Sequence, residues 1–327
     1  MSATPSLSVR SLKVHYKLRS GFFNFKATAT LKAVDDVSFD LYPGEVLGLV
    51  GESGCGKSSL GRALLRLQEP TSGNIQLGGL DFLSLHGEAL RNVRPQIQMI
   101  FQDPYASLDP RMTIEATLRE PLEAHGLWSG IDSQKNLEQL LDRVGIGKKA
   151  LAKYPHEFSG GQRQRIAIAR ALVLRPKVII ADEPVSSLDV SVQAQILNLL
   201  KEIQKELHLS IVFISHNLAV VKYIADRIAV MYLGKIVELA PKDHLYSQPQ
   251  HPYTQALISA VPIPDPRIEK FRKRIELRGE IPSPINPPKG CAFHTRCPIA
   301  QESCKQHAPE LKNYRNSSQQ FSCFEVK

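Results

Sequence analysis

Gly51-Glu52-Ser53-Gly54-Cys55-Gly56-Lys57-Ser58 has the spacing of a phosphate-binding loop. Its glycines let backbone N–H groups turn inward, and Lys57 adds a positive charge at the β and γ phosphates. The apolar run Val46–Val50 precedes the loop, which gives the order strand, loop and helix that the motif requires. The stretch therefore predicts a bound nucleoside triphosphate, with the side chain of Cys55 incidental to binding.

A second glycine-rich stretch, Ser159-Gly160-Gly161-Gln162, begins 101 residues after Ser58. It stands at the start of a predicted helix over residues 162–174, which Pro176 ends. Exposed amides at a helix start suit a γ-phosphate. Since one chain needs only one phosphate site, the two stretches predict a dimer in which each subunit's second site closes over the nucleotide on its partner's first.

Two carboxylates, Asp182 and Glu183, end the apolar run Val178–Ala181. An acidic residue at the end of a buried strand is the usual partner of a phosphate loop, so we expect Asp182 to hold Mg²⁺ through water, opposite the hydroxyl of Ser58. Glu183 is then placed to orient or deprotonate the attacking water. The alternative is that the pair caps the next helix, but the residues that follow read as a turn.

Two further polar residues follow apolar strands: Gln102 after residues 98–101, and His216 after Ser210–Ser215. Neighbouring strands of a parallel sheet bring their carboxyl ends to the same crevice. We therefore expect His216 near the γ-phosphate and Gln102 where it binds Mg²⁺ or water. A histidine at a strand end is also common as an ordinary core or turn residue, and that interpretation stays open.

Strands and helices alternate along most of the chain, which predicts an α/β fold with a mostly parallel sheet covered on both faces. An antiparallel β-layer is predicted from residues 7–12 and 33–41, and a helical insert from about 103–165. Composition changes near Pro241, where prolines become frequent. We predict one domain over residues 1–240 and a smaller one over residues 241–327.

The formal net charge is +9 and the pI is near 9.3, which raises the question of nucleic acid. Six basic residues and no acid precede Asp35, and a second basic cluster over residues 267–278 is interrupted by two glutamates. Solvated faces attracted to an anionic cytoplasmic membrane surface explain this better. No apolar run reaches a membrane span and no signal peptide begins the chain, so a cytosolic protein with a peripheral membrane role is expected.

Four cysteines lie close together near the C-terminus, at Cys291, Cys297, Cys304 and Cys323. A reducing compartment disfavours disulfides, so a metal centre is predicted. Zinc, with His294 as a further ligand, usually needs closer cysteine pairs, whereas wider gaps suit an iron–sulfur cluster. Four unligated thiols remain the third interpretation.

In this order, the motifs resemble the nucleotide-binding domain of ABC transporters over about residues 6–240: the phosphate loop, Gln102, Phe158–Gln162, Asp182–Glu183, Ser187–Asp189 and His216. Phe158 stands where the family usually has Leu. The resemblance implies Mg²⁺-dependent ATP hydrolysis at two composite sites of a head-to-tail dimer. It implies Glu183 as general base, His216 on the γ-phosphate, Asp189 in the D-loop, and Ser159 with Gly161 on the ATP of the other subunit. Tyr16 is the candidate for stacking on adenine, with Phe22, Phe23 and Phe25 as substitutes.

Three further stretches, residues 102–111, 251–262 and 279–284, resemble the ATPase subunits of bacterial oligopeptide and dipeptide importers, and the basic insert before Ala33 resembles their F-type subunit. This implies a second, non-identical ATPase, two membrane-spanning permease subunits contacted by the loop after Gln102, and indirectly a substrate-binding protein, with no nucleic acid. The expected place is the cytoplasmic face of the bacterial cell membrane. The resemblance also implies a 4Fe–4S cluster on all four cysteines.

Three other functions remain open at this point. Close relatives of such importers carry nickel or glutathione. A soluble ABC ATPase acts on nucleic acid or ribosomes, although most have two ATPase modules or a long coiled-coil insert. In a metal- or redox-sensing module, the cysteine region would be the functional output.

Overall fold

The computed structural model describes residues 4–19, 27–262, 265, 267, 274–314 and 317–325. The described strands are β1 (Leu7–Arg19), β2 (Ala27–Leu41), β3 (Val46–Val50), β4 (Ser72–Leu77), β5 (Leu80–Asp81), β6 (Ile97–Ile100), β7 (Val178–Asp182), β8 (Ser210–Ser215), β9 (Arg227–Tyr232), β10 (Lys235–Pro241), β11 (Lys312–Asn313) and β12 (Gln320–Phe321).

The described α-helices are α1 (Lys57–Leu64), α2 (Gly87–Val93), α3 (Pro104–Ser107), α4 (Ile114–Ala124), α5 (Ile131–Arg143), α6 (Gly160–Leu172), α7 (Val190–Leu207), α8 (Leu218–Ile224), α9 (Lys242–Ser247), α10 (Pro252–Ala260) and α11 (Glu302–Gln306). None of the helices in these ranges is long and apolar enough to span a membrane.

The chain divides into two compact units, each assembled from separate segments. Unit 1 comprises Met1–Leu7, Leu41–Glu45 and Gln76–Ile214, and unit 2 comprises Ser8–Asp40, Val46–Ile75 and Ser215–Lys327. The residues after Pro241 therefore group with the phosphate loop in unit 2. The predicted domain boundary at residue 240 stays a prediction.

Unit 1 is built on three parallel strands in the order β6-β7-β8. All residues of β7 and β8 are buried, as expected of strands inside a parallel sheet. Helices α6 and α7 each turn a row of apolar side chains inward at helical spacing, among them Ile166 and Ile196, which have no exposed surface. Helices α3, α4 and α5 lie within the predicted helical insert, whose bounds stay a prediction, and the predicted turn at residues 184–189 is observed.

Unit 2 contains parallel β3 and β9, followed by antiparallel β10, β12 and β11 in that order. Its second layer has the order β2-β1-β4 and corresponds to the predicted antiparallel β-layer. Strands β1 and β2 are longer than predicted, since β1 continues to Arg19 and β2 begins at Ala27.

The segment after α9 is held to β10 by a buried carboxylate. Glu238 has no exposed surface and accepts hydrogen bonds from the backbone N–H of Gln250 and of His251 and from Gln319 Nε2, at 2.8, 2.9 and 2.8 Å. Burial raises the pKa of Glu238. Because three donors surround it, this carboxylate links β10 to both α10 and the segment before β12.

Candidate nucleotide-binding site

The phosphate loop connects β3 to α1 and is shaped by close backbone contacts that only glycine permits. A Cβ atom on Gly51 would lie 2.2 Å from the carbonyl oxygen of Met231, and one on Gly56 would lie 1.9 Å from that of Ala33. Gly56 also has a φ of 104° and is the N-cap residue of α1. The loop is therefore confined between β9 and β2 and ends at the N-terminus of α1, where the first N–H groups of a helix have no partner within it, and such a cradle suits the phosphates of ATP.

Lys57 lies in the centre of the loop, and its side chain is buried. Its Nζ donates to the carbonyl oxygens of Gly51 and Glu52 at 2.8 and 3.0 Å, and it lies 3.7 Å from Cys55 Sγ. Burial raises the pKa of the Cys55 thiol, against the opposing effect of the ammonium group. Cys55 is therefore a neutral, buried side chain, and the positive charge of Lys57 is the charge that the loop offers to phosphates.

Two predicted nucleotide contacts lie near the loop in the same unit. Ser58 is the second residue of α1 and is partly exposed, as a Mg²⁺ ligand must be. The hydroxyl of Tyr16 donates to Ser59 Oγ at 3.5 Å, which places this aromatic ring beside the first turn of α1. Phe22, Phe23 and Phe25, the alternatives to Tyr16, lie outside the described residues.

Gln102 and Glu183 are brought together by strand register. Ile100 pairs with Ala181 in parallel strands β6 and β7, and each side chain follows its paired residue by two positions. Gln102 Nε2 consequently donates to Glu183 Oε2 at 3.3 Å. The prediction that strand ends deliver these polar groups to one edge is supported for this pair within unit 1.

Glu183 has a left-handed backbone, with a φ of 46°. A non-glycine residue in this region carries about 1 kcal/mol or more of strain, which a surrounding structure must hold in place. Here the backbone N–H of Glu183 donates to Ile214 O at 3.0 Å, and its carbonyl accepts from Ser186 N–H and Oγ. The conformation turns the chain sharply after buried Asp182 and leaves the Glu183 carboxylate partly exposed.

The second glycine stretch forms the start of α6. Ser159 is its N-cap: Ser159 Oγ accepts from the N–H of Gln162 at 3.4 Å, while Gln162 Oε1 accepts from the N–H of Ser159 at 3.0 Å. This reciprocal pair explains why α6 begins at residue 160, two residues before the prediction. Both side chains are exposed, as is Asp189, the N-cap residue of α7. His216 follows β8 and is also exposed.

The four C-terminal cysteines surround one cavity of about 10 Å³, roughly the space of a single water molecule. Apolar side chains such as Phe293 and Ile299 also line it, together with His251, His294 and Glu325. Burial raises the pKa of the Cys291 thiol to about 11 and also raises that of Cys297. All five cysteines of the chain lie in the described part, and they form no disulfide.

No three His, Cys, Asp or Glu side chains within the described ranges are arranged to hold a metal ion. The zinc alternative, with His294, is therefore not supported: His294 Nδ1 instead lies 2.8 Å from the carbonyl oxygen of Cys291. The four-cysteine donor set suits an iron–sulfur cluster by its chemistry, since all four thiols face one space. Because no metal-holding group of side chains is found within the described ranges, the 4Fe–4S prediction is likewise not supported by the structure.

Sequence reasoning missed two residues that contact the phosphate loop. Arg296 forms two hydrogen bonds with the carboxylate of Glu52, and Tyr253 accepts one from the N–H of Glu52. Arg296 is 244 residues from Glu52, and no local motif relates the two. An arginine between two cysteines was visible in the sequence, but its partner was not.

Comparison with known proteins agrees with this geometry. Residues 34–186 match the ABC transporter family model, and residues 237–304 match that of the oligopeptide/dipeptide transporter C-terminal region. The chain is similar to the ATP-binding cassette MJ0796, solved as a dimer in a post-hydrolysis state with bound ADP and Pi, at 26% sequence identity. The TM-score is 0.63, with 72% of this chain and 98% of that one covered. The chain is thus an ABC-type ATPase, for which ATP and Mg²⁺ are implied.

Relatives that match nearly the whole chain show which kind of ABC-type ATPase it resembles. The oligopeptide transport ATP-binding protein AppF of Bacillus subtilis is 55% identical, with 94% of this chain and 93% of the relative covered. The oligopeptide transport ATP-binding protein OppF of Salmonella typhimurium is 53% identical, with 98% and 96% covered. The chain belongs to this family of peptide-transporter ATP-binding proteins.

Proposed function

We propose that the chain hydrolyses ATP to energise import of di- and oligopeptides through a membrane ABC transporter, as one of its two ATPase subunits. The observation that carries the proposal is the phosphate loop, which glycines hold against the backbone of β2 and β9 with Lys57 at its centre. Relatives named as oligopeptide transport ATP-binding proteins, at 53–55% identity over nearly the whole chain, favour peptides over nickel, glutathione or nucleic acid.

In the proposed reaction, residues of the loop bind the phosphates through backbone N–H groups and the ammonium group of Lys57. Ser58 and Gln102 are the proposed Mg²⁺ ligands, with Asp182 acting through water. When bound, Mg²⁺ neutralises charge on the β and γ phosphates. Glu183 takes the proton of the attacking water, and His216 contacts the γ-phosphate. Gln102 donates to Glu183 and so limits the directions that the carboxylate can take.

We assign the exposed start of α6 to the nucleotide of a second ATPase subunit. Ser159 and Gln162 satisfy one another in a capping pair, which leaves the amides of Gly160 and Gly161 at the tip of the helix. Asp189 belongs to the same contact. The similar cassette solved as a dimer with ADP and Pi supports this arrangement, and we infer a non-identical partner chain from the F-type resemblance.

The permease is proposed to dock on unit 1 just after Gln102. A surface cavity of about 540 Å³ lies there, lined by residues 107–112, Thr117, Glu120 and Arg170. It follows Gln102 directly in the chain, so a permease element seated in it acts on the segment that carries the contact to Glu183. Through this contact the chain would reside at the cytoplasmic face of the cell membrane, with a substrate-binding protein as an indirect partner.

A 4Fe–4S cluster remains a proposal for the cysteine cavity, to be held by Cys291, Cys297, Cys304 and Cys323. Four cysteines that line one cavity support it. Such a cluster supplies one-electron redox chemistry or a structural link. Iron and acid-labile sulfide, measured after anaerobic purification, are expected near four each per chain, and Cys304→Ser is expected to lose both. Absence of iron from the natural chain would refute the cluster.

The proposed function is tested with the chain, its second ATPase and the permease pair in proteoliposomes. Peptide delivered by the binding protein should stimulate phosphate release, and nickel or glutathione should not. Stimulation by ribosomes or nucleic acid, without any effect of peptide, would instead favour the soluble ABC ATPase.

A further inference from the structure

The second residue of the phosphate loop is fixed by the C-terminal part of unit 2. Arg296 Nη1 donates to Glu52 Oε2 at 2.7 Å and Nη2 donates to Oε1 at 3.1 Å, which is a two-pronged ion pair. The Arg296 side chain is 7% exposed and that of Glu52 is 25% exposed. The pairing raises the pKa of Arg296, so the guanidinium keeps its charge in this buried position.

A tyrosine fixes the backbone of the same residue. The N–H of Glu52 donates to Tyr253 Oη at 2.9 Å, and Tyr253 has no exposed surface. Its ring packs against Tyr232 and Phe293, with centroid distances of 4.7 and 5.4 Å. Because aromatic packing holds the ring, the hydroxyl presents a stationary acceptor to the loop.

The remaining backbone group of Glu52 completes the attachment. Its carbonyl oxygen accepts from Lys57 Nζ at 3.0 Å, so side chain, N–H and carbonyl are all engaged. Glu52 thereby determines where the loop runs between Gly51 and Gly54, and it helps set the position of the ammonium group of Lys57. A preformed loop binds phosphates without the cost of ordering itself.

Arg296 is joined to the cysteine cavity through a short turn. The N–H of His294 donates to Cys291 O, and the N–H of Arg296 donates to Phe293 O, both at 3.0 Å. Cys291, Phe293 and Cys297 all line the cavity, so Arg296 belongs to a turn whose two ends are cysteines of the cavity. A movement of this turn displaces the guanidinium relative to Glu52.

We propose that Arg296 and Tyr253 are positioning residues that hold the phosphate loop in its nucleotide-binding shape, so that ATP affinity depends on the cysteine-bearing turn of the C-terminal segment. The proposal rests on the nucleotide site proposed above. It assigns the C-terminal segment a role in ATP binding, in addition to any contents of the cysteine cavity.

Dissociation constants for ATP, with kcat and KM, test the proposal in the full chain. Arg296→Met and Glu52→Gln should each weaken ATP binding roughly tenfold. In Arg296→Met, kcat at saturating ATP should stay within about twofold, because the loop is misplaced and the reacting groups remain. The double variant should be no weaker than either single one, since both remove the same pair. Arg296→Lys should recover part of the affinity.

Two controls separate positioning from general stability. Arg10→Met breaks another arginine–carboxylate pair of unit 2, in which Arg10 Nη2 donates to both carboxylate oxygens of Asp40, and it should leave ATP affinity unchanged. Tyr253→Phe removes only the hydroxyl and should weaken ATP binding in a chain that folds normally. Cys297→Ser should weaken binding in the natural chain and have no further effect beside Arg296→Met.

Unchanged ATP affinity in Arg296→Met and Tyr253→Phe would overturn the proposal. So would a loss of affinity in Arg10→Met as large as in Arg296→Met, because both would then act through stability alone. If the natural chain itself binds no ATP, the proposed nucleotide site fails and the positioning proposal fails with it.

Discussion

Gln102, two residues beyond the end of β6, donates a hydrogen bond to Glu183, the first residue after β7, with 3.3 Å between Nε2 and Oε2. The contact joins the segment that leads to the surface cavity at residues 107–112 with the carboxylate proposed as general base. The same two side chains therefore connect a proposed docking site with the proposed reaction, and a small displacement of residues 101–103 alters the freedom of the Glu183 carboxylate.

Glu183→Gln should bind ATP with natural affinity and hydrolyse it roughly 10²- to 10⁴-fold more slowly, because the base is lost while every phosphate donor remains. Nucleotide binding and phosphate release measure the two effects. Glu202→Gln, an exposed change on α7, is the matched control and should release phosphate at the natural rate. Rapid hydrolysis by Glu183→Gln would contradict the role of this carboxylate.

Gln102→Glu should lower kcat more than Gln102→Ala does. The added carboxylate repels that of Glu183 and removes the amide donor that orients it, whereas Gln102→Ala removes the donor alone. Phosphate release at saturating ATP measures both effects, and equal kcat values for the two variants would show that residues 102 and 183 are apart during turnover.

Gly56→Ala should abolish ATP binding, because its Cβ would lie 1.9 Å from the carbonyl oxygen of Ala33. Gly54→Ala is the matched control in the same loop, since nothing lies within 4 Å of its Cβ. Gly54→Ala adds only the strain of a left-handed backbone at residue 54, about 1–2 kcal/mol, so the affinity for ATP should fall about tenfold. Calorimetric titration with ATP measures the affinity of both variants. Equal losses of ATP affinity in Gly56→Ala and Gly54→Ala would contradict the close packing of Gly56 against Ala33.

The free energy of unfolding should decrease below pH 6.5 because of His251. Burial lowers the pKa of His251 to about 3, and its Nδ1 accepts from the N–H of Tyr253 at 3.1 Å. His251 binds a proton near pH 6.5 in the unfolded chain, but only near pH 3 in the folded chain. Its contribution to the free energy of unfolding is therefore complete above pH 6.5. It is lost at up to about 1.4 kcal/mol per pH unit as pH falls.

His251→Gln removes that titration, and urea unfolding at pH 7.5 and 5.0 measures the consequence. The stability difference between natural chain and variant should shrink by about 2 kcal/mol at the lower pH. An identical slope for His251→Gln would contradict a neutral, buried His251.

Much of the fold follows from local patterns in the sequence. The apolar runs at Val46–Val50 and Ser210–Ser215 are strands with the predicted bounds, since buried parallel strands need continuous apolar residues. The register of β6 and β7 then makes Gln102 meet Glu183. Strands β9 and β10 and the hydrogen bonds around Glu238 were not predicted, because their partners are far apart in sequence.

The four C-terminal cysteines show what local sequence patterns cannot predict. Their spacing predicts a metal centre, yet the described side chains form none, and the cavity they line has the size of a water molecule. Spacing along the chain constrains which thiols can meet, but the volume between them depends on how the turns at residues 291–297 and 301–304 pack. Arg296 was missed for the same reason, since only the packed turn brings it to Glu52.

The most direct test of the account is uptake of labelled di- and oligopeptides, with nickel and glutathione alongside, in cells that have no redundant importer. The natural chain should support peptide uptake, and Glu183→Gln should abolish it while nickel and glutathione uptake are unaffected. Undiminished peptide uptake in the Glu183→Gln cells would contradict the claim that ATP hydrolysis by this chain drives peptide import.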